Sequence, residues 1–449
     1  GYYTDIVGNT VDNSGNNGIS AQLLNGAYIG YSAPIVIGDA LVPVMGQGNN
    51  VTNSGFGFSE GGGNGIAVGD VFSSTIEGNS VDQSSNNGIM VTNYINDYNV
   101  EGGPVLYGMV MDYPMFATYT TDIMDNTVDN SGNNGIAVYD INDSYIGDGE
   151  DEGTVGNLVS NSGWDGIQVY GDANWMSGYG GGSSYPVYDI WTPASFSTII
   201  SDNVVTDSYD DGIDVGYLDS ADILRNDISN QGAGEKDGGY TGIEANVIDE
   251  LLIQDNTIDT IYEGINLYNN NQAVLEGNEI TNAFYTGIYV GGAYNQSVVL
   301  RDNNVQSQWD GAWFQSGAID FQGVNFFDSL NDGLVFDPGR YEEGFADRSD
   351  ILSEDPLFSN LSVVGNTFGT TVFENQEGFY IRLANGALFD PGQPTILDAR
   401  FSTFDGYTPN SFVLPFAQYV ALEEKLWDFD DDQTLGQIFF TFLGGVDSR

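Results

Sequence analysis

One short unit recurs along this chain and dictates what it can fold into. Ile6-Val7-Gly8-Asn9-Thr10-Val11-Asp12-Asn13-Ser14-Gly15-Asn16-Asn17-Gly18-Ile19 returns at residues 76–89 and again at 123–136. Weaker copies surround Asn157, Asn203, Asn226, Asn256, Asn278 and Asn303. The shared pattern is apolar-x-x-Asn-x-apolar, a polar stretch, then Gly-apolar-x-apolar. The asparagine precedes the glycine by nine residues at Asn9, Asn79, Asn126, Asn157, Asn203 and Asn278, and by eight at Asn256 and Asn303.

Self-similarity on this scale marks a solenoid. Asn203, Asn226, Asn256, Asn278 and Asn303 follow one another at 23, 30, 22 and 25 residues. A coil of about 22 residues makes a circuit of roughly 70 Å, room for three short strands and their turns. Gly-Ile-Ala-Val, Gly-Ile-Asp-Val and Gly-Ile-Tyr-Val alternate apolar and free positions, the period of a half-buried strand. Asn, Asp, Ser and Gly fill the intervals, as turns require. In such a stack each repeated asparagine lies over the next, donating to one neighbour and accepting from the other. The glycine marks either a positive φ or a place with no room for a side chain.

These residues resemble the right-handed parallel β-helix repeat of pectate-lyase-like proteins, phage tailspikes and bacterial surface passengers. The resemblance is close over residues 4–335 and loose over 360–410, at Asn366-Thr367-Phe368 and Ile396-Leu397-Asp398. It implies an all-β, right-handed parallel β-helix solenoid over residues 1–410, followed by a small helix-plus-strand segment over 411–449. Long coils predict insertions near 22–44, 93–121, 171–197 and 337–358. Pro415 to Trp427 reads as an amphipathic helix. The fold hosts enzymes, adhesins and structural proteins alike; the resemblance points to a secreted or cell-surface protein.

Charge narrows the partners. Asp and Glu number 64 against 9 Lys and Arg, for a net charge of -55, and the first basic residue is Arg225. Such a surface repels nucleic acid and anionic lipid, attracts divalent cations and suits salty water. With 41% hydrophobic residues the chain is no disordered acidic tail. No apolar run is long enough for a membrane-spanning helix, and no signal-peptide pattern opens the chain. Cys and His are both absent. Disulfides, Cys/His zinc sites and Ser-His-Asp or Cys-His catalysis are therefore excluded.

Carboxylates are the only abundant acid-base groups. Asp214, Glu244 and Asn266 occupy the free position of successive Gly-Ile-x-apolar strands, which predicts an Asp214–Glu244 pair one rung apart, near the spacing of retaining glycosidases. Asp211, Asp214 and Glu244 are the catalytic candidates, with Asp165 and Asp210 close in register; the competing reading is a solvated or calcium-bridged acidic face. Related enzymes weigh against catalysis. The Gly-His-Gly and Arg-x-Lys elements of polygalacturonases and the histidine of alginate epimerases are missing. Arg225 and Arg301 stand in turns without a lyase-like signature. For metal, Asp140, Asn142, Asp143, Asp148, Glu150 and Asp151 form one hard-oxygen cluster and Asp430, Asp431 and Asp432 another, suited to Ca²⁺, with no EF-hand pattern.

The remaining signals concern assembly. Trp175, Tyr179 and Tyr185 lie in an aromatic, Gly-rich insertion suited to contact or to sugar stacking. Ile438, Phe439, Phe440 and Phe442 read as an apolar strand that either caps its own solenoid or adds to another copy. A parallel β-helix has open edges, and the first repeat begins by residue 4, so that edge is expected to be covered by another molecule or by preceding chain. The expected function is head-to-tail self-association into a filament or coat. A carbohydrate-active hydrolase or lyase, or a glycan-binding adhesin, is the alternative, so a second copy and a polysaccharide are the expected partners.

Overall fold

The computed structural model describes residues 4–22, 25–30, 32–37, 40–44, 48–55, 63–69, 73–92, 120–148, 156–171, 196–231, 240–260, 262–291, 297–315, 317–329 and 332–336, and the strands 358–362, 367–368, 377–381, 395–398, 403–404, 427–429 and 438–440. It comprises two units, residues 1–227 with 233–236, and residues 228–232 with 237–449. Among the described residues there is no helix.

In the first unit one coil consists of Thr127–Asp129, Ile136–Tyr139 and Asp143–Gly147. Its counterparts pair with it in parallel, residue over residue. Ile19, Ile66, Ile89, Ile136, Ile167 and Ile213 form one column. Val51, Val81, Val128, Val159 and Val205 form a second. Ile29, Ile76, Ile123, Ile146, Ile200 and Ile223 form a third. All are buried. β-Branched side chains at every second position suit a pleated, half-buried surface, and each buried Ile or Val contributes about 1.5–3 kcal/mol.

The repeated asparagine does what its recurrence predicts. Backbone N and Nδ2 of Asn126 both donate to Oδ1 of Asn157, at 3.0 and 2.9 Å, while Nδ2 also donates to the Ile76 carbonyl at 2.8 Å. The same pair of bonds links Asn9 to Asn49, Asn49 to Asn79 and Asn79 to Asn126, then Asn157 to Asn203 and Asn203 to Asn226. Asn49 is a rung that the spacing hides, because the glycine before its Gly-Ile strand is Gly65, after an extra stretch of chain.

The glycine requirement is one of space. A Cβ on Gly135 would come within 2.2 Å of Val159 Cγ1 and 2.7 Å of the Gly166 carbonyl. The nine-or-eight spacing has its own cause. In the nine-residue copies one residue after the short strand adopts a left-handed backbone: Asn13, Gln83, Asn130, Asn161, Asp207 and Asn282 have φ between 52° and 60°. Asn and Asp tolerate this conformation best among residues with a side chain. The eight-residue copies at Asn256 and Asn303 omit that residue.

The second unit repeats the plan. Ile243, Ile265, Ile288, Ala312 and Leu334 stack, as do Ile258, Ile280, Val305 and Phe327. Asn256, Asn278, Asn303 and Asn325 continue an amide ladder. In the later coils the core turns aromatic: Phe321 meets Phe314 and Phe327 edge-on at 5.8 and 6.1 Å. Parallel pairing runs on through Phe358–Ser362 and Thr395–Asp398 to Ile438–Phe440.

Two expectations change. Asn25–Gly30 belongs to the solenoid, paired with Thr4–Val7 and Ser73–Glu77; the excursion in the 22–44 region is the antiparallel hairpin Ser32–Ile37 and Ala40–Val44. Trp427, expected as the last residue of a helix, begins the strand Trp427–Phe429. The rest of that expected helix lies outside the described residues, as do most of the insertions at 93–121 and 171–197 and nearly all of that at 337–358.

Candidate functional site

The chemistry gathers on one turn, between the short strand that follows the ladder asparagine and the Gly-apolar strand. The residue just before the glycine is Asn17, Asn64, Asn87, Asn134, Asp165 or Asp211 in the first unit. These form a second side-chain ladder. Backbone N–H of Asn64 donates to Oδ1 of Asn17 at 2.9 Å, Asn87 to Asn64 at 3.1 Å, and Asn134 to Asn87, Asp165 to Asn134 and Asp211 to Asp165 at 3.2 Å each. In sequence these look like ordinary turn residues; only their fixed place before the glycine hints at the ladder.

Where the ladder changes from amide to acid, charge accumulates. Asp214 projects from the free position of Ile213-Asp214-Val215. Asp165, Asp211 and Asp214 are 3%, 5% and 6% exposed, and one carboxylate oxygen of each lies within 4.8 Å of the others. Gln168 Nε2 donates to Oδ2 of Asp165 at 2.8 Å and of Asp214 at 3.0 Å; Tyr170 OH donates to Asp214 Oδ2 at 2.5 Å. Gln168 Oε1 accepts from Tyr139 OH at 2.5 Å and Asn134 Nδ2 at 2.8 Å. The rings of Tyr139, Tyr170 and Tyr217 stand in a row, 6.5 and 5.9 Å apart.

Two like charges at this separation repel by roughly 3 kcal/mol at an effective dielectric of 20. No basic residue precedes Arg225, and Arg225 makes a two-pronged bond to Asp202, at 2.6 and 2.8 Å.

In the second unit the same turn carries an aromatic ledge. Tyr240, Tyr262, Tyr285 and Trp309 each stand two residues before the glycine on successive coils. Backbone N–H of Tyr285 donates to the Tyr262 carbonyl at 3.0 Å and that of Asp310 to the Tyr285 carbonyl at 2.9 Å. The rings of Tyr262 and Tyr285 lie 4.4 Å apart, and Phe284 meets Tyr285 edge-on at 5.1 Å. Tyr240 is buried, whereas Phe284, Tyr285 and Trp309 are 47%, 41% and 48% exposed. Beside the rings stand Glu263, next in sequence to Tyr262, and the column Glu244, Asn266, Tyr289 and Trp313, paired residue over residue, of which Trp313 is buried. Burial, and then the charge of Glu244, push the Glu263 carboxyl up to about 7. In the first unit Trp164 and Tyr209 are exposed on the equivalent turn.

A family model for the right-handed β-helix region matches residues 150–329 and 241–389, together more than half of the chain. The chain belongs to the right-handed β-helix family. That membership fixes the fold and assigns no chemistry. Comparison with curated proteins and with solved structures gives no match. No helix among the described residues of this β-helix protein is long and apolar enough to cross a membrane.

Asp211 and Asp214 come together with Asp165 in the first unit; Glu244 lies in the second, where its acidic neighbour is Glu263. Asp140, Asn142, Asp143 and Asp148 flank and open a single strand, Asp143–Gly147, and the three acids among them are not a group close enough to share an ion. Asp143 instead accepts from Ser197 Oγ at 2.6 Å. Among the described residues the one group of acids close enough to share an ion is Asp165, Asp211 and Asp214. Glu150, Asp151, Asp430, Asp431, Asp432, Trp175, Tyr179, Tyr185 and Phe442 lie outside the described residues. Ile438, Phe439 and Phe440 form a strand paired with Thr395–Leu397. Arg225 and Arg301 are structural: each pairs with a carboxylate of the preceding coil, Asp202 and Glu276, at 2.6 Å.

Proposed function

We propose that this β-helix protein is secreted or displayed at a cell surface and binds a glycan chain along the turn ledge of its second unit. The observation that carries this reading is the row of rings Tyr262, Tyr285 and Trp309, one per coil, half-buried at Tyr262 and exposed at Tyr285 and Trp309, beside carboxylate and amide acceptors. Sugar rings present flat C–H faces that stack on aromatic rings, and hydroxyl donors that carboxylates accept. The coil spacing of about 4.8 Å is close to the length of one pyranose in an extended chain, so successive rings can meet successive sugars. Cleavage is not expected from the first-unit acids, because Asp165, Asp211 and Asp214 are buried; Glu244 and Glu263 beside the rings are read as acceptors for the ligand. The test is affinity electrophoresis against a polysaccharide panel, with product analysis. Retardation without degradation, lost in Tyr285→Ala/Trp309→Ala, is expected. Unretarded migration on every polysaccharide would end the reading.

A second reading, end-to-end self-association into a filament or coat, is supported by the parallel strands that continue to Ile438–Phe440. A parallel ladder accepts a further strand at its edge. Two chains of charge -55 need counter-ions to approach, and calcium is the proposed one. Electron microscopy with and without calcium tests this: fibres that depend on calcium and vanish on deletion of residues 437–443 are expected, and dispersed particles in both conditions would refute it.

A further inference from the structure

We propose that the glycan taken by the second-unit ledge is cationic: a chain of amino sugars bearing free ammonium groups. The inference rests on the glycan reading above and adds the sign of the ligand's charge. Between Tyr240 and Phe314 the only basic residue is Arg301, and it is bound to Glu276 and Gln322 at the asparagine turn, at the other end of the short strand from the ledge. The ledge itself places Glu263 and Asp310 directly before its glycines and Glu244 in the adjoining column.

Three ligand charges can be compared on this surface. A uronic-acid chain meets a field of its own sign on a protein of net charge -55. A neutral chain gains ring stacking and ordinary hydrogen bonds. An amino-sugar chain gains both, and adds charge-assisted bonds from ammonium to carboxylate, which are about twice as strong as neutral ones. It also places cations over exposed ring faces, where the quadrupole attracts them. Glu263 adds to the preference. Its carboxyl is held up to about 7 by burial and by Glu244, a strain that a neighbouring ammonium relieves and a neutral sugar leaves in place.

The experiment is titration calorimetry of the full chain, in physiological salt, with four probes of equal length. These are a β-1,4-linked glucosamine oligomer, its fully N-acetylated counterpart, a glucuronate oligomer and oligolysine. Each is repeated on Tyr285→Ala/Trp309→Ala and on the conservative Tyr285→Phe. Both ring positions are exposed, so folding is checked simply by unchanged melting. The glucosamine oligomer is expected to bind at least ~10-fold more tightly than the acetylated one, a difference of about 1.4 kcal/mol. The double variant should lose that binding, Tyr285→Phe should keep it, and glucuronate should give no heat. Equal binding of free and acetylated oligomers overturns the charge assignment while leaving the glycan reading intact. Silence from every sugar overturns both. Oligolysine binding as tightly as glucosamine, with neither affected by the ring substitutions, reduces the effect to bulk attraction and also overturns the proposal.

Discussion

The backbone N–H of Asp211 donates to Oδ1 of Asp165 at 3.2 Å, extending with two acids a ladder that asparagines build in the preceding coils. The acceptor oxygen is what the ladder needs, and carboxylate and carboxamide both supply it. The negative charge is additional, and it brings Asp165 and Asp211 against Asp214 in a buried site.

Asp165→Asn should therefore keep the ladder and relieve a repulsion on the order of 1–3 kcal/mol in the absence of divalent cations, offset in part by the loss of the Gln168 Nε2 bond to Oδ2. Asp165→Ala relieves the same repulsion but removes the acceptor, leaving the Asp211 N–H without its bond, so it should be less stable than Asp165→Asn by about 1–3 kcal/mol. Thermal melts of both variants in chelator decide. If Asp165→Ala melts with Asp165→Asn or above it, the ladder is not what fixes Asp165.

Asn126 shows how much one rung carries. It accepts two bonds from Asn79, donates two to Asn157 and donates one to Ile76. Asn126→Ala takes the acceptor from the buried backbone N–H of Asn79, one of three acceptors from its Nδ2, and the Asn126 bond from the Ile76 carbonyl, so a loss of about 3 kcal/mol or more is expected by urea denaturation. A loss below about 1 kcal/mol would mean that the rungs are held by their apolar columns alone.

Gly135→Ala tests the reading of the glycine as a spacer. The added methyl would fall 2.2 Å from Val159 Cγ1 and 2.7 Å from a backbone oxygen of the next coil. The side chain can turn, but the carbonyl is fixed in a parallel ladder. We expect a cost of about 2–4 kcal/mol from overpacking. A variant that melts with the wild type would show that the coils separate easily.

The asparagine ladder was legible because it recurs with a fixed distance to a glycine, and because a stacked amide is the one use that needs Asn rather than any turn former. Asp211 and Asp214 were legible as neighbours from their register. Within the first unit Asp214 also meets Asp165, and within the second Glu244 faces Glu263. Register counts rungs along a strand, whereas these contacts run round the turn from the pre-glycine position to the free position of the following strand. The aromatic ledge is not legible in the sequence because Tyr262, Tyr285 and Trp309 are scattered by 23 and 24 residues, and only the coil aligns them. Aromatic residues crowded into one insertion, such as Trp175, Tyr179 and Tyr185, draw the eye by local density instead.

Glu263 makes the pH behaviour of the second unit predictable in sign. Its folded value is about 7 against an ordinary 4.5, raised first by burial and then by Glu244. Between those two values the folded chain holds a proton that the unfolded chain has released. Stability therefore falls as pH rises from 4.5 to 7 and levels off above, with a ceiling of about 3 kcal/mol for this group. Because the Glu263 side chain keeps some contact with water, the observed loss should be smaller, on the order of 1–2 kcal/mol. In the first unit burial likewise pushes up Glu77, Asp122, Asp125 and Asp222, so their contributions have the same sign. Glu263→Gln keeps the shape and removes the titration. Unfolding midpoints measured from pH 4.5 to 7 should fall more steeply in the wild type than in Glu263→Gln, and the two curves should converge toward the acid end after a constant offset is removed. A wild type that gains stability relative to the variant as pH rises would mean that Glu263 is ionised in the folded state, compensated by a cation bound beside it.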